Sequence, residues 1–197
     1  IHKDEYRLVT MKTYHLRELK KLTRHHHDLK EDLNIYKNRL QKTIDLVFPE
    51  FNSLFGSKYG VTYMHLLERF RSAHTISKTD IRTLRKALEP VGKGRYVSFS
   101  AEELKELAID SIGEKSLSSE FQVKHLVDTI QMMEEQIVEV DAKIKELSDQ
   151  LNSPITSIPG IGTFSGMSIL SEYGDISKFD SPAKLISFAG VAPYVFE

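Results

Sequence analysis

The sequence predicts an all-α chain: long helices forming a coiled coil, followed by a helix-hairpin-helix-like C-terminal segment. Three observations predict this. Apolar residues recur at alternating spacings of three and four along two long stretches. The stretches between them carry helix caps and breakers, and the sole strand candidate is Tyr96-Val97-Ser98-Phe99. Near the end, a Pro-Gly-Ile-Gly turn separates one helical pattern from the next.

The first long helix has a seam of Leu19, Leu22, His26, Leu29, Leu33, Tyr36, Leu40, Thr43 and Val47, ending at Phe48-Pro49-Glu50. His26 and Thr43 are polar at seam positions, where such residues fix register at a cost in stability. Shorter helices follow. Val61 to Arg71 reads as a helix after Gly60, and a second run follows Ser77 and reaches Leu88, where Pro90 and Gly92 stop it. Gly92-Lys93-Gly94-Arg95-Tyr96 reads as a basic turn. Ser100 and Glu103 form a capping box that opens a helix to about Ile112, closed by Gly113. Ser116 or Ser118 can cap the second long helix. Its seam is Val123, Leu126, Ile130, Met133, Ile137, Val140, Ile144, Leu147 and Leu151, long enough for a coiled coil.

The two long segments carry opposite charge. Lys12 to Lys42 holds nine basic and four acidic residues, a net +5, while Ser116 to Leu151 holds three basic and eight acidic residues, a net −5. Opposite charge and matched seams predict that the two helices are partners. The pairing is an intramolecular antiparallel one, an intersubunit one, or both, and the intersubunit form predicts a homo-oligomer held by the coiled coil. The plainer alternative is that each seam covers a globular core.

Composition excludes several classes. The 197 residues suffice for one or two small domains, and the net charge of −1 shows no bulk basic character. The absence of cysteine excludes disulfides, thiolate zinc sites and cysteine nucleophiles, and fits a reducing cytoplasm. No apolar run approaches the roughly 18 residues of a membrane span, so no membrane partner is expected. The chain begins at Ile1 rather than Met and stops soon after a turn, which reads as a fragment of a longer protein.

His25-His26-His27 resembles a metal cluster, but adjacent helical residues point about 100° apart and do not converge on one ion. A solvated polar patch with His26 in the seam is the simpler reading, and the functional alternative is weak phosphate contact from this basic face. No phosphate-binding loop of the nucleotide-binding types is present. Ser165 and Ser168 have no histidine after His125 to serve as a base. Glu172 and Asp175 form a local acidic pair that reads as a helix end, with Gly174 as a left-handed cap and Asp175 bracing the loop.

Pro159, Gly160, Ile161, Gly162 and Thr163 form the candidate nucleic-acid contact. Two glycines one residue apart permit positive φ and close backbone approach. The following helix, Thr163 to Tyr173, begins with free N–H groups and the positive end of its dipole. Such a turn can bind phosphate without a basic side chain, in the manner of helix-hairpin-helix modules. A tight interhelical turn without a ligand is the bland alternative.

The surrounding residues carry a specific resemblance. Ile158-Pro-Gly-Ile-Gly, then Glu172-Tyr173-Gly174-Asp175, then Phe179, then Gly190-Val191-Ala192-Pro193 resemble, in order and spacing, the C-terminal domain of insertion-sequence 110/116/902 transposases. The resemblance implies three regions. Residues 1–11 would end a preceding RuvC-like domain, 12–152 would be the helical coiled-coil region, and 153–197 would begin the C-terminal transposase domain. It implies an enzyme that cuts and rejoins DNA, in some relatives guided by a structured RNA. Divalent metal, magnesium, would be held by an Asp-Glu-Asp-Asp set in the RuvC-like domain, and the nucleophilic serine lies in a Ser-Gly pair after the Gly-x-x-Pro. Lys3-Asp4-Glu5 lacks the family's Asp-x-x-Asp spacing, and no serine follows Pro193. No catalytic residue, metal ligand or cofactor site is therefore carried over to this chain. The rival reading is a non-catalytic coiled-coil scaffold with a helix-hairpin-helix DNA-binding tail.

Overall fold

The computed structural model describes residues 11–89, 97–174 and 176–191. Lys3-Asp4-Glu5, the basic turn of residues 92–96, Asp175 and Pro193 lie outside them. The described elements are helices: α1 Met11–Val47, α2 Val61–Phe70, α3 Ala73–Lys78, α4 Ile81–Leu88, α5 Ala101–Ile109, α6 Leu117–Leu151, α7 Thr163–Tyr173 and α8 Pro182–Phe188, with short 3-10 turns at Pro49–Leu54, Pro154–Ser157 and Ile176–Lys178. The all-α expectation holds, and no strand occurs among the described residues. Val97–Phe99 of the strand candidate is irregular.

The chain forms two compact units that are not consecutive in sequence: Leu29–Ile137, and Ile1–Asp28 with Val138–Glu197. Each long helix contributes a segment to each unit, because α6 returns along the chain that α1 began.

In the 29–137 unit, Leu33, Leu40, Ile44 and Val47 of α1 share a core with Val123, Val127, Ile130, Met133 and Ile137 of α6. Leu29, Tyr36 and Leu126 pack at its margin. The segments run antiparallel: Lys37 Nζ donates to Glu134 Oε1 at 2.7 Å, and the Glu114 N–H donates to the Leu46 carbonyl at 2.8 Å. The intramolecular pairing is thus formed here. Val127 is fully buried although the sequence seam runs through Leu126, because the partner spans more than a narrow two-residue stripe. Thr43 resolves its polarity locally, its hydroxyl donating to the Arg39 carbonyl at 3.0 Å.

The short helices close this core. Phe51, Phe55 and Tyr63 meet edge-on or tilted with ring centroids 5.1 Å apart, and Leu84 and Leu104 are fully buried. Each such side chain contributes about 1.5–3 kcal/mol of burial. The run expected after Ser77 is α4, which starts only at Ile81, and a further short helix, α3, precedes it. Ser72 caps α3 and Asp80 caps α4, each accepting a backbone N–H, and Ser77 lies inside α3. Thr79 breaks the run in extended conformation. The Ser100–Glu103 capping box forms as expected, but α5 stops at Ile109. Ser116 caps α6, accepting from the Ser119 N–H at 3.2 Å.

In the other unit, Leu16 and Leu19 of α1, Ile144 and Leu147 of α6, and Met167 and Leu170 of α7 form the core. Leu22, Val140, Leu151, Ile155 and Phe164 pack against it. Tyr173, Phe179 and Phe188 form a small aromatic cluster with centroids 5.3–6.2 Å apart, joining α8 to the end of α7. Among the described residues no helix is long and apolar enough to cross a membrane.

Candidate nucleic-acid interface

Ile158 to Ile161 make a tight turn, the Ile161 N–H donating to the Ile158 carbonyl at 3.0 Å. Pro159 sits second and Gly160 third with φ +88°, the pattern of a type II turn. Gly160 is therefore glycine for a conformational reason. Gly162 is different. Its φ of −76° and ψ of 170° are extended backbone open to any residue, and a β-carbon there would meet no atom within 4 Å. The expectation that both glycines serve the turn's geometry holds for Gly160 alone.

Gly162 is the N-cap of α7 and supplies no side-chain acceptor. The first intrahelical bond runs from the Gly166 N–H to the Gly162 carbonyl at 2.8 Å, leaving the N–H groups of Thr163, Phe164 and Ser165 without intrahelical acceptors. Pro159, Gly160, Gly162 and Thr163 are exposed and Ile161 is half-buried. No Lys or Arg occurs from Glu146 to Ser177, so any anion held here is held by backbone N–H groups and the helix dipole. Behind the turn, α7 rests on the Pro154–Ser157 segment through Gly166, whose added β-carbon would stand 3.1 Å from an Ile155 methyl.

α7 runs antiparallel to the first part of α1. Phe164 lies against His26 with ring centroids 4.1 Å apart, Thr23 Oγ1 and Ser171 Oγ are 3.4 Å apart, and Glu172 bonds Lys20 and Arg24. His26 is buried, with Nε2 3.2 Å from Asp141 Oδ1 of α6, while His25 and His27 are exposed. The three histidines thus diverge as helix geometry requires. In chain order no histidine follows His125 to serve Ser168. Folding returns α1 to α7, so His27, Asp28 and Ser168 line one cleft of about 340 Å³ with Thr23, Arg24, Phe164 and Glu172. Sequence also missed the partners of Glu172, because they lie 148 residues away. Gly174 has positive φ but ψ −130°, outside the expected left-handed cap.

The seam residues do not gather at this interface. Leu19, Ile144 and Leu147, with Leu22, Val140 and Leu151 beside them, belong to the core under α7, His26 lies against Phe164, and the others belong to the 29–137 unit. Among the described residues no group of three or more His, Asp or Glu side chains could hold a metal ion.

Comparison with known proteins agrees with the C-terminal motifs. Residues 152–197 match the Transposase IS116/IS110/IS902 family. Over 187 residues the chain is 26% identical to a Streptomyces coelicolor (strain ATCC BAA-471 / A3(2) / M145) protein described as "Insertion element IS110 uncharacterized 43.6 kDa protein", an alignment covering 89% of this chain and 44% of that one. The chain therefore spans less than half the length of this relative.

Proposed function

We propose that this chain, an IS110/IS116/IS902-family transposase fragment by its C-terminal domain and its insertion-element relative, contributes nucleic-acid backbone contact and helical scaffolding to a DNA-rearranging enzyme. The observation that carries the contact is the exposed, uncapped N-terminus of α7 behind the Pro159–Gly162 turn. Backbone N–H groups there would hold a phosphate of the DNA, without reading its sequence. Cutting and rejoining would use carboxylates with magnesium and a serine nucleophile, none of which is assigned to a residue of this chain. A structured RNA guide and self-association of the parent protein belong to the same reading. Because α1 and α6 seam residues fill cores within one chain, self-association would use other surfaces.

The test is duplex binding by the chain across salt concentrations. Backbone contact predicts that log affinity falls linearly with log salt, by about 0.9 per phosphate neutralised by a cation, and less steeply where neutral N–H groups do the holding. Binding unchanged between about 50 and 200 mM salt would reject phosphate contact.

A further inference from the structure

Glu172 sits in the last turn of α7, which ends at Tyr173. A carboxylate there faces the negative end of the helix dipole, so the helix itself does not favour it. It is held instead by two cations of α1 one turn apart. Arg24 donates through Nε to Oε1 at 2.9 Å and through Nη2 to Oε2 at 3.2 Å, and Lys20 Nζ lies 2.8 Å from Oε2. Hydrogen bonds from Arg24 and then Lys20 hold the Glu172 carboxyl below the usual carboxylate range, so it is charged.

This cluster is not what secures α7. Lys20, Arg24 and Glu172 side chains are 37%, 64% and 45% exposed, and such surface pairs contribute only about 0–1 kcal/mol. Met167 and Leu170, buried against Leu16 and Leu19, do the securing. A forked guanidinium with an ammonium beside it is, however, the arrangement that binds a phosphate's paired oxygens. The cleft that Arg24 and Glu172 line also carries the Ser168 and Thr23 hydroxyls and His27, with Phe164 in its wall and Asp28 as its other acid. Arg17, Lys20, Arg24 and His27 fall on one side of α1 at helical spacing. From Thr163 to Glu172, α7 rises about 14 Å, which sets the separation along the helix between its open end and this cluster.

We infer that Lys20 and Arg24 form a second DNA-phosphate site, which Glu172 occupies as an internal stand-in until backbone phosphate displaces it. The inference rests on the nucleic-acid reading above and adds its regulation: the acid lowers affinity for non-target duplex by competing for the same cations.

The test titrates the chain with a 20-base-pair DNA duplex and an RNA duplex of the same sequence. Glu172→Gln should tighten DNA binding about 3- to 10-fold at low salt and steepen the log–log salt slope by about one. Adding Lys20→Ala to Glu172→Gln should erase that gain. Asp149→Asn, which removes an equal charge from an exposed site on α6, should change affinity less than twofold. Thermal melting checks that each variant folds; should Glu172→Gln not fold, Arg24→Gln stands in and should weaken DNA binding at least threefold. An unchanged or weakened Glu172→Gln, an equal gain from Asp149→Asn, a gain confined to RNA, or an Arg24→Gln with unaltered affinity would each overturn the inference. If wild type binds and Glu172→Gln does not differ, this inference alone fails; if neither binds at low salt, the nucleic-acid reading fails with it.

Discussion

Gly113 approaches the end of α1 so closely that a β-carbon on it would stand 2.4 Å from the carbonyl oxygen of Val47 and 2.6 Å from its carbonyl carbon. The neighbour is backbone and cannot turn aside. One residue later the Glu114 N–H donates to the Leu46 carbonyl at 2.8 Å, one of the carbonyls a helix end leaves open. Gly113 thus lets the chain entering α6 dock onto the exit of α1.

Gly113→Ala should therefore destabilise the 29–137 unit by about 2–4 kcal/mol, through displaced backbone and a lost hydrogen bond. Urea unfolding measures it. A loss under about 0.5 kcal/mol, the range of a neutral surface change, would mean the approach is looser than described.

Glu50 anchors the same junction. Its carboxylate accepts from Ser111 Oγ at 2.5 Å and from the Ile112 N–H at 3.2 Å. Partial burial raises its pKa, but the bonds from Ser111 and the backbone outweigh that, and the net shift is downward. With the folded pKa below the unfolded one, the stabilisation is fully present above the ordinary glutamate value of about 4.3 and is lost as pH falls through the folded value. Glu50→Gln should thus lower the melting temperature at pH 7 and have a smaller effect at pH 3. An equal effect at both would show that charge is not what Glu50 supplies.

Ile137 is 4% exposed in the α1–α6 core. Ile137→Asp would bury an unpaired carboxylate and should cost about 3–5 kcal/mol. Melting within a few degrees of wild type would place Ile137 outside a packed core.

The long helices were legible because seam spacing is a local, repeated signal. Val123, Ile130 and Ile144 lie where it placed them, in buried positions. Charge was less informative: Lys37 does reach Glu134 of α6, but Lys20 and Arg24 turn to Glu172 of α7, since net charge carries no direction. α3 escaped because it spans only six residues between its Ser72 cap and Thr79, too short for a helical period to show. At the candidate interface, the turn and the start of α7 were readable from Pro159 and the glycines. The Glu172 cluster was not, because tertiary contacts between residues 148 positions apart leave no local trace.

Gly162→Ser probes whether the open N-terminus of α7 contacts nucleic-acid backbone. Gly162 has extended backbone and open space around a β-carbon, so serine fits, and as an N-cap it should hold stability constant or raise it by a few tenths of a kcal/mol. Its hydroxyl would also take the N–H groups that a phosphate needs. The measurement is melting temperature and DNA affinity on the same sample. Phosphate contact predicts unchanged or higher melting with affinity lowered about 10-fold or more, roughly one charge-assisted hydrogen bond. Unchanged affinity in a fully folded Gly162→Ser would contradict it and leave the turn as a connection between helices.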